Sequence, residues 1–421
     1  MKLSNCFPKV TLSPVWPQFT PLTIKYARGI YLYDEKGRTY LDMTSGIGVT
    51  NTGHCHPRVV KAIQNQAEKL IHGQVTIIRH DPIYQLADEL SRILPPTLQS
   101  YFFTNSGSEA VESAIKLARH ATGKTNIICF QGGYHGRTVG AMSVTTAKTV
   151  YRMHYQPLMP GVYVAPFPHS YDEMDACLDA FKLLLATQTA PEETAAIIVE
   201  PVLGEGGYVI PPREFFSNIK EITTNHNILF IFDEIQTGFG RTGHLFAYEH
   251  FDVVPDVLIM AKGLGSGLPI SGIAASHELM SRWLPGSHGG TYGGNPVACA
   301  AAVETIRIIN EENLLKNAKE MGQRLLEGLQ QIAKGSTLFK EVRGLGLMIG
   351  CEVEGRTPQE KKERAAQIRL HCLNKGLILL TCGTYDHVIR WIPPLTVQPN
   401  EIDVALTVFA EAIKEVDCRH A

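Results

Sequence analysis

Short apolar runs alternate with amphipathic stretches through the middle of the chain, from about residue 60 to residue 275. Between the runs, apolar residues recur at helical spacing, which is typical of helices with one buried face. The apolar runs predict strands at 101–104, 126–130, 196–200, 228–233, 257–260 and 270–275. Strands that alternate with helices indicate βαβ units around a mostly parallel sheet covered on both faces. The pattern therefore predicts an α/β fold.

The flanks of this region show different patterns. Residues 30–43 are a predicted hairpin, because aromatic and β-branched residues lie on both sides of a turn that contains Gly37. Pro296 begins a long helical stretch that reaches about residue 334. Further strands are predicted near 341–353 and at 377–380 and 388–391.

The length of 421 residues exceeds what one compact core usually needs. We expect a segment 1–60 that joins a small domain, a large domain 61–310 and the rest of the small domain at 311–421. The content of 44% hydrophobic residues is typical of a globular protein. The net charge of −2 gives no electrostatic field that would attract nucleic acid or an anionic membrane, so a small-molecule partner is expected. Nine scattered cysteines without a CxxC pair, and a beginning without the apolar core of a signal peptide, favour the cytoplasm.

Charged residues follow two successive apolar strands. The strand 228–233 ends in Asp233 and Glu234, and the strand 257–260 is followed by Lys262. Because the carboxyl ends of parallel strands meet at one edge of a sheet, an acid and a lysine are expected to face one crevice there. These residues alone predict an ordinary ion pair equally well.

A small turn precedes the predicted helix after residue 106. Gly107 and Ser108 would place free amides and a hydroxyl at the helix beginning, which is a common phosphate seat. A plain helix cap is an equal alternative for this turn. The glycines at 263, 265 and 267 match a dinucleotide motif poorly because no helical pattern follows them, and His54 and His56 lack further ligands for a metal. No metal site is predicted.

Nine motifs in order along the chain resemble the class III, or ω-, aminotransferases of pyridoxal-phosphate (PLP) fold type I, most closely the 4-aminobutyrate aminotransferases. They are NTGH at 51–54, GSEAVE at 107–112, YHGRT at 134–138, EPV at 200–202 with GEGG at 204–207, DEIQ at 233–236, AKG at 261–263, GTYGGNP at 290–296, RGLG at 343–346 and KGLILL at 375–380. The resemblance implies a large domain with a mostly parallel sheet, and a smaller α/β domain formed by the C-terminal and N-terminal segments.

The resemblance also implies the catalytic residues and the cofactor site. Lys262 corresponds to the lysine that carries PLP as a Schiff base and moves the proton, and Asp233 to the acid against the pyridine nitrogen. The other cofactor-binding positions that it implies are Gly107, Ser108, Tyr134, His135, Glu200, Ile235, Gln236 and Thr291. Gly107 and Ser108 would hold the phosphate, and Thr291 would reach the cofactor of a partner subunit. A homodimer with shared active sites, or a tetramer, is therefore implied.

Four residues are implied in substrate binding: Ile47, Arg137, Glu205 and Arg390. Arg137 would hold the distant carboxylate of an ω-amino acid, and Arg390 the α-carboxylate of 2-oxoglutarate. Glu205 would pair with Arg390 when the substrate has no α-carboxylate. Ile47 stands where ornithine-type relatives have an aromatic residue, which argues against ornithine. The bulky Trp391 beside Arg390 raises the question whether the site is narrowed.

The implied activity is ping-pong transamination from 4-aminobutyrate or a close homologue to 2-oxoglutarate, which yields the semialdehyde and glutamate. Arg137 also occurs in acetylornithine aminotransferases, so an N-acetylornithine-type enzyme is one alternative. A PLP isomerase or epimerase on the same scaffold is another. A PLP-binding regulator without catalysis is disfavoured because Lys262, Asp233 and both arginines are present. A nicotinamide-dependent dehydrogenase has only the weak glycine run in its favour.

Overall fold

A computed structural model describes residues 13–420 of the protein, with side chains up to residue 417. The strands are β1 (Ile24–Arg28), β2 (Tyr31–Asp34), β3 (Thr39–Asp42), β4 (Ser100–Thr104), β5 (Asn126–Phe130), β6 (Val162–Ala165), β7 (Thr194–Val199), β8 (Leu229–Asp233), β9 (Val257–Met260), β10 (Ser271–Ala275), β11 (Phe339–Leu345), β12 (Met348–Val353), β13 (Leu377–Ile378), β14 (Leu380–Cys382) and β15 (Val388–Trp391). The helices are α1 (Ser45–Gly48), α2 (Pro57–Ala67), α3 (Asp81–Ile93), α4 (Gly107–Thr122), α5 (Val139–Ser143), α6 (Tyr171–Thr187), α7 (Arg213–Asn225), α8 (His277–Ser281), α9 (Pro296–Glu311), α10 (Leu314–Lys334), α11 (Pro358–Asn374) and α12 (Pro399–His420).

The central sheet has seven strands in the order β4-β10-β9-β8-β7-β5-β6. Strand β10 runs antiparallel to both of its neighbours, and the remaining pairs are parallel. The predicted α/β fold with a mostly parallel sheet is therefore confirmed. Because β8 and β9 are parallel neighbours, the residues that follow them lie side by side at one edge of the sheet.

Strands β5, β7, β8 and β9 are apolar along their length because helices cover both faces of the sheet. Side chains on one face of β8, such as Phe230 and Phe232, pack into the larger hydrophobic cluster of the protein. Ile231, which points to the other face, belongs to a second cluster with the buried side of α4. This two-sided packing fixes the carboxyl ends of β8 and β9 within the fold.

Two smaller sheets lie outside the central one. The sheet β1-β2-β3-β13 joins an N-terminal segment to the C-terminal part of the chain, because β13 pairs in parallel with β3. The hairpin predicted at 30–43 is confirmed, with Tyr31 opposite Leu41 in the antiparallel pair β2 and β3. The second small sheet, β11-β12-β15-β14, is antiparallel throughout. The domain boundaries at residues 60 and 310 stay a prediction.

Several elements differ from the prediction. The helical stretch from Pro296 consists of two helices, since Asn313 between them has φ +55° and cannot continue a helix. The edge strands β1 and β6 were not predicted, and both are short and partly exposed. Within residues 13–420, no helix is both long enough and apolar enough to cross a membrane.

Candidate active site

The turn between β4 and α4 contains a helix cap, and the first backbone amides of α4 follow it. Ser106 caps the helix by accepting a hydrogen bond from the amide of Glu109, and the Glu109 carboxylate returns to the Ser106 amide. Gly107 and Ser108 follow in the first turn and line a cavity. The cap and the phosphate seat are thus compatible, because different residues form them.

A buried acid and a buried imidazole form the floor of this cavity. Nδ1 of His135 lies 2.7 Å from Oδ2 of Asp233, and the amide of Ile235 donates to Oδ1 at 3.0 Å. Burial alone would lower the pKa of His135, but the hydrogen bond and the negative charge of Asp233 raise it overall. The imidazole therefore holds the Asp233 carboxylate in one orientation through this hydrogen bond.

Asp233 and Glu234 point in different directions although they are adjacent. The buried Glu234 carboxylate accepts from the amides of Ala247 and Tyr248 and from the hydroxyl of Thr237. Burial raises the pKa of Glu234 to about 7. Glu234 therefore supports the loop after β8, and only Asp233 lines the cavity.

Lys262 begins a single 3-10 turn directly after β9. Its φ of +41° is unfavourable for a side chain with a Cβ atom, and such strain is common at functional sites. Burial lowers the pKa of the Lys262 amine, while the carboxylates of Glu205, Glu200 and Asp233 oppose that shift. No helix follows the glycines at 263, 265 and 267, since the chain enters β10 at Ser271.

We call the space around these groups the inner cavity. It has a volume of about 340 Å³, and Tyr134, Gln236 and Glu200 also line it. Glu200 accepts from the amides of Tyr134 at 2.8 Å and Gly204 at 3.0 Å. Burial raises the pKa of Glu200 to about 7, helped by Asp233 and opposed by His135.

The inner cavity has the groups that a phosphorylated pyridine cofactor requires. A Cβ atom at Gly107 would lie 2.7 Å from the Ile235 side chain, so only glycine lets Ile235 cover that side of the cavity. The buried Asp233 carboxylate, the amine of Lys262 and the amides at the start of α4 all line the same space. A carboxylate for a pyridine nitrogen, an amine for an aldehyde and amides for a phosphate therefore fit PLP.

A second space, the outer cavity, adjoins the inner one and shares Tyr134, Glu205 and Lys262 with it. Its volume is about 480 Å³. Charged side chains dominate its walls, and those it does not share with the inner cavity are Arg137, Lys148, Lys362, Arg369, Asp386 and Arg390. Cations outnumber carboxylates around it, which favours an anionic ligand.

Arg390 on β15 forms an ion pair with Glu205, and the Arg390 side chain is only 5% exposed. Burial would raise the pKa of Glu205, but the Arg390 guanidinium lowers it overall. Because a buried guanidinium needs a carboxylate, this pair is not an ordinary surface salt bridge. A ligand carboxylate could take the place of Glu205 on Arg390.

Arg137 is exposed and lies over two tyrosine rings. Its Cζ atom is 5.1 Å from the ring centre of Tyr151 and 5.9 Å from that of Tyr134. These contacts orient the guanidinium at the rim of the outer cavity. Ile47, which has φ +70°, lines the same cavity.

Two predicted features lie elsewhere. Thr291 is exposed and lines neither cavity, so its role toward a cofactor stays a prediction. Trp391 does not narrow the site: it is fully buried on the opposite face of β15 from Arg390, 5.1 Å from the ring of Phe409.

His54 and His56 have different partners, since His54 binds Asp42 and His56 lies beside Glu312. No metal-binding cluster occurs among residues 13–420.

The prediction from sequence did not include several residues of the site, among them Asn105, Lys148 and Tyr151. Asn105 lines the inner cavity, and Lys148 and Tyr151 line the outer one. Asn105 directly precedes the predicted phosphate turn, so its position was a usable signal. Lys148 and Tyr151 stand in an irregular segment after α5, where spacing carries no information on orientation.

The chain matches the family model of class III aminotransferases over residues 13–413. A 5-aminovalerate aminotransferase of Pseudomonas aeruginosa is 39% identical over 406 residues, which cover 95% of each chain. A 4-aminobutyrate aminotransferase of Escherichia coli is 38% identical, covering 94% of this chain and 95% of that relative. An acetylornithine aminotransferase of Methanopyrus kandleri is 40% identical, with the same coverage of 94% and 95%.

Among solved structures, a transaminase from the marine bacterium Virgibacillus has a TM-score of 0.90 and 32% identity, covering 96% of this chain and 94% of that one. Fold and site together define a PLP-dependent transferase of fold type I. The chain belongs to the class III aminotransferase family and is a PLP-dependent aminotransferase.

Proposed function

We propose that the enzyme transfers the amino group of an ω-amino acid, 4-aminobutyrate or a close homologue such as 5-aminovalerate, to 2-oxoglutarate. One observation carries this proposal: the outer cavity holds Arg137 at its rim and Arg390, paired with Glu205, at its wall. Two guanidinium groups next to one amine suit substrates with a carboxylate at either end. Relatives that act on 4-aminobutyrate and 5-aminovalerate by name support the same substrate class.

We assign the chemistry to residues of the inner cavity. When bound, PLP supplies an electron sink that makes the carbon beside the transferred nitrogen acidic. Asp233, fixed by His135 and the amide of Ile235, supplies the negative charge that keeps the pyridine nitrogen protonated. Lys262 would carry the cofactor and then move the proton with its Nζ, and burial lowers the pKa of this amine.

The remaining residues position the cofactor. The amides of Gly107 and Ser108 bind the phosphate at the beginning of α4. Tyr134, Ile235 and Gln236 line the inner cavity. Tyr134 and Ile235 would hold the ring of a bound PLP, and Gln236 would bind its phenolic oxygen. His135 orients Asp233, and Glu200 fixes the loop that contains Tyr134 by accepting its amide.

Substrate selection falls to the outer cavity. Arg137 binds the carboxylate of the donor, and the Glu205–Arg390 pair stays closed because that donor has no α-carboxylate. With 2-oxoglutarate, the α-carboxylate takes Arg390 and displaces Glu205. Ile47 lines the outer cavity with an aliphatic side chain, which argues against ornithine as the donor. The double role of Arg390 allows one site to serve both half-reactions.

A second candidate is N-acetylornithine, because relatives at 38–40% identity are acetylornithine aminotransferases. A screen of 4-aminobutyrate, 5-aminovalerate and N-acetylornithine against 2-oxoglutarate, with glutamate formation as the readout, decides between them. The proposal expects glutamate from the first two and ping-pong kinetics. Glutamate from N-acetylornithine alone would contradict it, and rearrangement of a substrate without any 2-oxoacid would indicate an isomerase.

We also propose that the active unit is a homodimer in the cytoplasm. Thr291 is exposed and does not line the two cavities of its own chain, which supports a contact with the cofactor phosphate of a partner subunit. Sedimentation of the active enzyme should give a dimer or a tetramer. A fully active monomer would rule out the shared site.

A further inference from the structure

Tyr151 lies between the two groups that select substrates. It ends a short 3-10 turn at Thr149–Tyr151 and is half-buried in the wall of the outer cavity. Its ring meets that of Tyr134 edge to face, with centres 5.1 Å apart. The Tyr151 ring is therefore held by Tyr134, which also lines the inner cavity. This contact fixes the orientation of the Tyr151 ring relative to the inner cavity.

The face of the Tyr151 ring supports Arg137. The guanidinium lies 5.1 Å from the ring centre, closer than its 5.9 Å from the ring centre of Tyr134. Arg137 is exposed, so it has no buried surroundings that would restrict its rotamers. Stacking on Tyr151 is therefore a main restraint on the direction in which Arg137 presents its hydrogen-bond donors.

The hydroxyl of Tyr151 faces Glu205. It lies 3.5 Å from Oε2, at the outer limit of a hydrogen bond, while Oε1 of the same carboxylate is held by Arg390. Burial, with a smaller effect of the Glu205 charge, raises the pKa of Tyr151 to about 12. At neutral pH the hydroxyl is therefore protonated and available as a donor, and a small movement of Glu205 would complete the bond.

The two half-reactions need different positions of Glu205. A donor without an α-carboxylate leaves Glu205 on Arg390, whereas a 2-oxoacid takes Arg390 for itself. Glu205 then remains in the cavity wall as a carboxylate of which only 14% of the side chain is exposed. The charges of Lys148 and Lys262 remain near Glu205 in that state, but the hydrogen bond from Arg390 is lost, and a new hydrogen-bond donor would stabilise the half-buried carboxylate.

We propose that Tyr151 is a positioning residue that serves the two half-reactions with different parts of its side chain. Its ring orients Arg137 for the donor carboxylate, and its hydroxyl receives Glu205 when a 2-oxoacid occupies Arg390. The inference rests on the proposed function, since it uses the roles assigned there to Arg137, Glu205 and Arg390.

The test follows the two half-reactions separately by the absorbance of the cofactor. The PLP form of the enzyme is mixed with the best donor of the screen, and enzyme loaded with pyridoxamine phosphate is mixed with 2-oxoglutarate. Tyr151→Phe keeps the ring and removes the hydroxyl, whereas Tyr151→Leu removes both. Tyr155→Phe is the matched control, because Tyr155 is exposed, lies four residues further on and lines neither cavity.

For Tyr151→Phe we expect the second-order rate constant with 2-oxoglutarate to fall roughly 10- to 100-fold, as for a lost hydrogen bond to a charged group. The donor half-reaction should stay within about threefold, since Glu205 does not move in it. Tyr151→Leu should slow both half-reactions, and Tyr155→Phe neither.

Equal losses in both half-reactions of Tyr151→Phe, or no loss in either, would overturn the inference. A comparable loss in Tyr155→Phe would do so too. Failure of the proposed function looks different: the wild-type enzyme would then not react with either ω-amino acid. In that case the 2-oxoglutarate arm of Tyr151→Phe still decides the role of the hydroxyl.

Discussion

The inner and outer cavities are neighbours that share Lys262 and Glu205, yet they are built in different ways. The inner cavity lies at the carboxyl ends of buried strands, and its key acid, Asp233, is 3% exposed. The outer cavity is lined by side chains from loops, helix α11 and the edge of a small sheet, and Arg137 at its rim is exposed. The inner groups are fixed by packing, whereas the outer ones are fixed mainly by charge.

This difference separates the reaction from the choice of substrate. Groups held by a close-packed sheet keep a constant geometry, which proton transfer requires. Charged groups held by other charged groups can exchange partners, as Arg390 must when it turns from Glu205 to a ligand carboxylate. Substitutions in the inner cavity should therefore stop all reactions, and those in the outer cavity should change which substrates react.

The largest effect is expected for Lys262→Ala. The amine is the attachment point of the cofactor and the proton carrier, so turnover should fall by about 10⁴-fold or more with every donor. PLP should still bind, because the phosphate turn and Asp233 are intact, and absorbance spectra of the dialysed protein measure this. Residual turnover within about a hundredfold of wild type would show that another group moves the proton.

Asp233 and Glu234 are adjacent at the end of β8, and substitutions at these two positions should have different effects. Asp233→Asn removes the charge that holds the pyridine nitrogen protonated, and kcat should fall about 100- to 1000-fold. Glu234→Gln should lower the unfolding free energy by about 1–3 kcal/mol, because it weakens three buried hydrogen bonds, and leave kcat nearly unchanged. Similar kcat losses in both variants would contradict the division of roles.

Arg137→Leu tests the outer cavity. Loss of the guanidinium should reduce the preference for 4-aminobutyrate over n-butylamine about 10- to 100-fold, since only the former has a carboxylate. Rates with n-butylamine should hardly change. Arg152→Leu is the control, because Arg152 is a half-buried arginine nearby that lines neither cavity. An equal loss with both amines would mean that Arg137 does not recognise the carboxylate.

The pH dependence of the unfolding temperature tests the structural role of the buried Glu234. The pKa of Glu234 is raised to about 7 in the folded protein, above its ordinary value of 4.5. The folded state therefore binds the proton more tightly, and the associated stability is present below pH 4.5 and is lost as the pH rises through about 7. Between pH 5 and 8, the unfolding temperature of wild type should fall more steeply than that of Glu234→Gln. Parallel curves would contradict the raised pKa.

The smallest functional effect is expected for Trp391→Phe. The side chain packs against Phe409 on the face of β15 opposite Arg390, so its truncation should lower the unfolding free energy by about 1–3 kcal/mol. The ratio of rates with 4-aminobutyrate and 5-aminovalerate should stay the same. A changed ratio would place Trp391 in the substrate site after all.

Sequence patterns predicted the buried parts of the molecule well. Strands β5, β9 and β15 have the predicted bounds, because each is a short, buried and mostly apolar run. The same runs located Asp233 and Lys262, since the carboxyl ends of neighbouring parallel strands must meet. The α/β fold and the place of the inner cavity therefore follow from patterns along the chain.

The outer cavity was harder to predict because its residues meet through tertiary contacts. Tyr151 is distant in sequence from Glu205 and Arg390. No periodic pattern predicts that the short turn containing Tyr151 lies near strand β15, which carries Arg390. Trp391 shows the same limit: two adjacent residues in an apolar strand point to opposite faces, and the sequence does not say which face is the site. The tertiary structure settles that, because Arg390 lines the outer cavity whereas Trp391 packs against Phe409.

The central claim is that Lys262 in the inner cavity carries the cofactor. Borohydride reduction of the purified holoenzyme turns a cofactor carried on a lysine amine into a stable covalent adduct, and mass spectrometry of the digested protein locates it. The account predicts the pyridoxyl phosphate mass on the peptide that contains Lys262, together with loss of the visible absorbance. An adduct on another lysine, or none in a protein that shows PLP absorbance, would contradict the account.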